Sequence, residues 1–261
     1  MDMEDKIKSL VCELRNIMQK GEIIAIIYNP EKEEGMHERD CDFLNALFDK
    51  VKYTYPLILL SGHGGDFSTG LFFPTLINKK VEKYRVFIPR VCGSALCYTI
   101  LKSRELFIGE NTYISQIDPI FQYKGSWVRA IEHIHSIDDN LKQNSREVFD
   151  VAQKYVKKLS ESPSIFKYRD MSEHEFQHVE LIVTNFMNKG DHAKEILPKE
   201  MEELEINFTR VNNEEDKIAN DLITLCQDYT LEQDARVIFV SSIPINIEGE
   251  EEHGTFIARL D

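Results

Sequence analysis

The sequence predicts an α/β fold: a mainly parallel sheet with βα crossovers, then a helical C-terminal part and a terminal β-hairpin. Three observations carry this. Apolar, β-favouring runs at 22–28, 57–60, 85–88 and 106–108 are continuous rather than alternating, as in strands buried on both faces. Runs of helical period separate them. The resulting alternation of strand and helix demands crossover connections, which are right-handed.

Taken in order, residues 5–19 form an amphipathic helix with Ile7, Leu10, Val11, Leu14, Ile17 and Met18 on one stripe, ended by Gly21. Residues 22–28 (E-I-I-A-I-I-Y) follow as a strand broken by Asn29-Pro30. A charged loop leads to a helix over 40–51. Residues 57–65 read L-I-L-L-S-G-H-G-G, a strand and a Gly-rich turn, and an amphipathic helix over 66–80 begins at the N-cap candidate Asp66. Residues 84–121 read as strand, sharp turn, helix, strand and hairpin, with Gly93 supplying the tight turn and Ser94 opening the helix. Helices are expected over 125–136, 138–159, 172–188, 198–205 and 214–229, and a closing hairpin from 235–241 and 255–260. The chain of 261 residues, 42% hydrophobic, is long enough for one large or two small domains. We expect an α/β domain over 1–207 and a helix-plus-hairpin extension over 208–261.

Ligands in such sheets sit at the carboxyl ends of the strands, where both the 62–65 turn and Ser94 fall. A serine at a strand-to-helix turn has its hydroxyl pushed out beside unpaired N–H groups, which suit a developing negative charge. Its bland role is a helix N-cap. Glycines after a strand bring bare backbone N–H groups close to a substrate. A turn with bare N–H groups and a turn with a serine are the parts of an oxyanion hole and a nucleophile.

Four segments in this order and spacing resemble the serine dehydrogenase proteinase family, a branch of the Clp-protease/crotonase-like superfamily related to signal peptide peptidase A. They are Gly64-Gly65-Asp66; Ile88-Pro89-Arg90-Val91-Cys92-Gly93-Ser94-Ala95-Leu96, similar to V-P-R-x-x-x-S-A-G; Ser115-Gln116-Ile117-Asp118-Pro119, similar to G-P-I-D-P; and Gly190-Asp191-His192-Ala193-Lys194-Glu195-Ile196 with Glu200 and Met201 after it. The resemblance covers about residues 20–207. It departs from the pattern at Leu96, where the family has glycine, and at Ser115-Gln116.

The resemblance implies a Clp/crotonase-like fold and a serine peptidase or related acyl hydrolase acting on peptide or protein, without a cofactor, as a homo-oligomer. Ser94 is then the nucleophile, and Gly64, Gly65 and Ala95 form the oxyanion and substrate-binding backbone. The segment 112–119 holds no histidine, so a Clp-like order of triad residues is absent. His192 stands where the family also has a histidine and is the leading base, with Lys194 and Lys124 as alternatives. Asp191 or Asp118 would orient the base, although Asp118 is read first as fixing the Ile117–Pro119 turn. His63, in the Gly-rich turn, lines the substrate cleft or is a plain loop residue.

Other readings stay open. A weakened relative that binds peptide in the same groove fits the departure at Leu96. A crotonase-type acyl-CoA enzyme shares the scaffold, but the acidic balance and lack of an obvious basic phosphate site count against it. Residues 174–178 read H-E-F-Q-H, the zinc metallopeptidase pattern of His174, Glu175 and His178. On a helix the two histidines point away from the apolar face formed by Phe176, Val179, Ile182, Val183, Phe186 and Met187, so no metal site is assigned.

A net charge of −14 disfavours nucleic acid and anionic lipid as partners. The five cysteines form no C-x-x-C pair. With no apolar run near the ~18 residues of a membrane span and no signal-peptide pattern at the start, a cytoplasmic protein is expected.

Overall fold

A computed structural model describes residues 2–32, 35–117, 119–160, 195–203, 206–243 and 256–260. Helix α1 (Met3–Met18) starts at Asp2, whose carboxylate accepts from the Asp5 N–H at 2.8 Å. It buries the stripe Ile7, Val11, Leu14 and Met18. Strand β1 (Ile23–Tyr28) follows, then α2 (Glu38–Lys50), whose first turn is closed by a capping box between His37 and Asp40. After β2 (Leu57–Ser61), Asp66 caps α3 (Phe67–Lys80) as expected, accepting from the Thr69 N–H at 2.7 Å. Strands β3 (Arg85–Ile88) and β4 (Val91–Cys92) lead into a 3₁₀ turn over Ser94–Leu96 and the short α4 (Cys97–Leu101). The middle of the chain runs through β5 (Glu105–Ile108), β6 (Tyr113–Ser115), β7 (Ile120–Tyr123), β8 (Ser126–Arg129), α5 (Ala130–His133) and α6 (Asp139–Ser160). The remaining described residues include β9 (Glu195–Ile196), α7 (Pro198–Glu203), β10 (Thr209–Arg210), α8 (Asn213–Glu232), β11 (Val237–Ser241) and β12 (Phe256–Leu260).

The fold is mixed α/β with a mainly parallel central sheet. Among the described residues its seven strands run β10-β5-β3-β2-β1-β11-β12. The neighbours from β10 to β1 are parallel, and β11 and β12 add antiparallel beside β1. Both faces are covered, which explains the continuous apolar runs. From β1, Ile24, Ile26 and Tyr28 join the core shared with α2, α3 and α4, while Ile23, Ala25 and Ile27 join the core shared with α1 and α8. A smaller sheet, β4-β6-β9, stands at the carboxyl ends of the main strands. Segment 208–260 therefore enters the same sheet as the rest, through β11.

Two expectations are corrected. Residues 125–136 are not one helix: β7 and β8 pair as a hairpin around Lys124 (φ 50°) and Gly125 (φ 84°), and only Ala130–His133 is helical. The left-handed pair at 124–125 is what a two-residue hairpin turn requires. The hairpin expected at the end of 84–121 does not form around β6 either, because β6 pairs instead with β4 and β9. The helix expected over 172–188 lies outside the described residues. No described helix is long and apolar enough to cross a membrane.

Candidate active site

The carboxyl ends of β2 and β4 are tied together by two backbone bonds. Gly62 N–H donates to Val91 O at 3.1 Å and Gly93 N–H to Gly62 O at 2.9 Å. Gly93 does not supply the sharp turn expected of it. Its φ is −111°, ordinary extended backbone; it is glycine because a Cβ there would lie 2.7 Å from His63 O. The left-handed conformation falls on Ser94, with φ 46°. That costs an L-residue about 1–2 kcal/mol, and such strain gathers at functional sites. Ser94 is not a helix cap, since the capping position belongs to Gly93 and no side-chain cap bond forms.

Ser94 is held by its backbone. Its N–H donates to the Ser115 Oγ at 2.8 Å. The departure from glycine at 115 thus has a use: the hydroxyl takes the N–H of the strained residue. The Cys97 thiol sits beneath, donating to Cys92 O at 3.0 Å and contacting Ser115 O at 3.3 Å. Burial pushes the Cys92 thiol up, well away from thiolate formation.

The Gly-rich turn abuts this serine. A Cβ on Gly64 (φ 111°) would lie 2.6 Å from the Ser94 Cβ and 3.1 Å from the Ala95 N. On its other side the turn pairs with Met36: Met36 N–H donates to Gly64 O at 2.6 Å, and Asp66 N–H donates to Met36 O at 2.8 Å. Because the flanking residues make both bonds, the Gly65 N–H points away from Met36. Among the described residues, neither the Gly65 N–H nor the Ala95 N–H has an acceptor. The Ser94 N–H is already used by Ser115, so Ala95 carries the open donor of the first turn. Helix α3 closes in from behind, where a Cβ on Gly70 would lie 2.8 Å from Ala95 O.

Leu96 takes no space from this site. It is wholly buried, and its Cδ1 lies 3.0 Å from where a Gly62 Cβ would be, so Gly62 makes room for it in the core. His63 is an exposed residue between Gly62 and Gly64. His192, Lys194, Asp191 and Asp118 lie outside the described residues, as do His174, Glu175 and His178. Lys124 sits in the β7–β8 turn, 2.9 Å from Asp138, whose hydrogen bond raises its pKa. A lysine base needs the opposite shift. Among the described residues no group of three or more His, Cys, Asp or Glu side chains is arranged to hold a metal ion.

Residues that sequence reasoning missed are Ser115 as the Ser94 backbone partner, Met36 as the strand-like neighbour of Gly65, and the buried pair Asp40–Arg236 behind them. Arg236 at the start of an otherwise apolar run was the available signal for the pair.

No protein-family model and no curated protein matches this sequence. Solved structures do. A serine-to-alanine mutant of the 1510-N membrane-bound stomatin-specific protease is 14% identical, with 72% of this chain and 76% of that chain covered and a TM-score of 0.46. A lysine-to-alanine mutant of the same protease, in complex with a substrate peptide, gives 15%, 70%, 74% and 0.46. ClpP1 from Listeria monocytogenes gives 12%, 81%, 97% and 0.45. The likeness is one of chain course and brings no activity or residue role to this protein.

Proposed function

We propose that this chain is a serine peptidase or related serine acyl hydrolase with Ser94 as nucleophile. The observation that carries the reading is the left-handed Ser94 packed against Gly64, with the N–H groups of the adjoining Gly65 and Ala95 lacking an acceptor among the described residues. Ala95 is buried, and buried backbone donors are nearly always paired, so its open N–H, with that of the half-buried Gly65 nearby, suits a substrate oxygen. The order and spacing of the family-like segments add support.

In this mechanism the Ser94 hydroxyl attacks the carbonyl carbon of a peptide or ester and passes its proton to the base. The carbonyl oxygen becomes an oxyanion, accepting from Gly65 and Ala95. The tetrahedral adduct collapses, the leaving amine or alcohol takes the proton back, and water then releases the acyl group by the same route. His192 is the base. Glu195 is in register with Ser115, the residue that holds the Ser94 N–H. His192 precedes it by three residues, a tether of about 10 Å when extended. His63 lines the cleft, and the resemblance implies a homo-oligomer.

Labelling with a fluorophosphonate probe tests this. The wild type is expected to label, Ser94→Ala not at all with its fold intact, and His192→Ala at least about 100-fold more slowly. Labelling that survives in Ser94→Ala overturns the assignment. Among the described residues no base contacts the Ser94 hydroxyl, which favours one second reading: a peptide-binding relative without turnover. A folded wild type that binds peptide yet never labels selects it.

A further inference from the structure

We propose that Asp40 and Arg236 are positioning residues for the Gly64–Gly65 turn, acting through Gly35, Met36 and His37. The inference rests on the oxyanion role of Gly65 proposed above. Both residues are almost solvent-free, Asp40 at 0% and Arg236 at 3% exposure. The Arg236 guanidinium is bidentate: Nη1 donates to Asp40 Oδ2 at 2.9 Å and Nη2 to Oδ1. Nη1 also donates to Gly35 O at 2.6 Å. The same Oδ2 accepts from the His37 N–H and the Tyr28 hydroxyl, each at 2.9 Å. The pair thus grips the backbone on both sides of Met36.

Met36 in turn makes the two bonds that orient the turn, to Gly64 O and from the Asp66 N–H. Contact between the segments is close: a Cβ on Gly35 would lie 2.0 Å from Gly64 O, and one on Gly65 would lie 2.1 Å from Met36 N. Neither loop can shift alone. The backbone that carries the guanidinium is anchored beside β1, where the Asn29 N–H donates to Arg236 O at 2.8 Å and β11 pairs with β1. A planar fork that bonds a carboxylate and a carbonyl together is something lysine cannot reproduce. If the pair served only to seal the sheet edge, an apolar pair of similar volume would serve as well.

The test compares the full chain with Asp40→Leu/Arg236→Met, which removes both charges together and so leaves neither buried alone, and with Arg236→Lys. Two readouts are taken on each folded variant. The first is hydrogen exchange of the Asp66 amide, which reports its bond to Met36 O whether or not the protein is an enzyme. The second is turnover of p-nitrophenyl butyrate with the fluorophosphonate labelling rate. Asp66 exchange is expected to speed up at least about tenfold in the double variant while amides of β3 stay protected. The kcat is expected to fall about 10–100-fold with KM within about twofold, less than the roughly 10²–10³-fold cost of deleting an oxyanion donor outright. Arg236→Lys should lie between. Faster Asp66 exchange in a protein that never turns over ester upholds the coupling and sinks the oxyanion reading. Unchanged exchange in both variants, or unchanged kcat in an active protein, overturns the positioning role.

Discussion

At the scale of single residues, the site turns on which side chain bears the backbone strain. The strain falls on Ser94, and a neighbouring hydroxyl keeps it there. Replacing Ser115 with Ala would leave the Ser94 N–H without its acceptor, a loss of about 1 kcal/mol or somewhat more. Chemical denaturation of Ser115→Ala should show that drop, and probe labelling should slow because the left-handed conformation is no longer held; Ser115→Thr should recover both. Equal stability and labelling in Ser115→Ala would mean that the bond holds nothing. The sequence indicated a sharp turn at 93–94 but assigned it to the wrong residue. Gly93 is needed for space beside His63 O and not for a positive φ. In a sequence the two reasons for a glycine look alike. Ser115 was visible only as a departure from a pattern, because its use depends on where β6 lies.

At the scale of elements, the buried strands were legible because a sheet covered on both faces leaves continuous apolar runs, and Asp66 was legible as a cap by its position before such a helix. Strands β4, β9 and β10 hold two residues each, too few to form a pattern. The β7–β8 hairpin was hidden because its turn is Lys-Gly, not the stronger Asn-Gly signal. That hairpin is tied to α6 by Asp138, which accepts from Lys124 and from the Tyr123 hydroxyl at 2.9 Å each, and from Asn140 and Leu141 at the helix start. The Lys124 hydrogen bond foremost, with Tyr123 and Leu141, holds its carboxyl down to about 2. A carboxyl depressed in the folded state adds stability above its unfolded value near 4, and that stability is lost as the pH falls from about 4 towards 2. The Asp138→Asn variant should therefore lose some stability at neutral pH and show a flatter acid limb in urea midpoints across that window. Parallel pH profiles for variant and wild type would show that the tether contributes nothing. The effect should be small, because both partners are at the surface.

At the scale of the whole molecule, the last strands complete what the first begin. In β1, Ile23–Ile27 pair on one side with β2 and Ile24–Tyr28 on the other with Val237–Ser241 of β11. Helix α1 lays Ile7, Val11, Leu14 and Met18 into a core whose opposite wall is Ile218, Ala219, Leu222, Ile223 and Cys226 of α8. Each of the larger side chains is worth about 1.5–3 kcal/mol when buried, while a whole domain is stable by about 5–15 kcal/mol. A chain ended at Asn207, the boundary that the sequence suggested, would open that core and bare one edge of β1. It would also leave Asp40 buried without Arg236, a defect that costs about 3–5 kcal/mol in such pairs. The opened core, several such side chains together, and the unpaired carboxylate add up to a loss of the size of that margin. We expect the 1–207 fragment to lose its near-UV circular dichroism and to aggregate, and the full chain to unfold in one cooperative transition. A soluble 1–207 fragment with a sharp transition of its own would instead make 208–261 a detachable extension. It would also remove the reason to tie Arg236 to the turn at Gly65, since that turn would then be held without any part of the C-terminal segment.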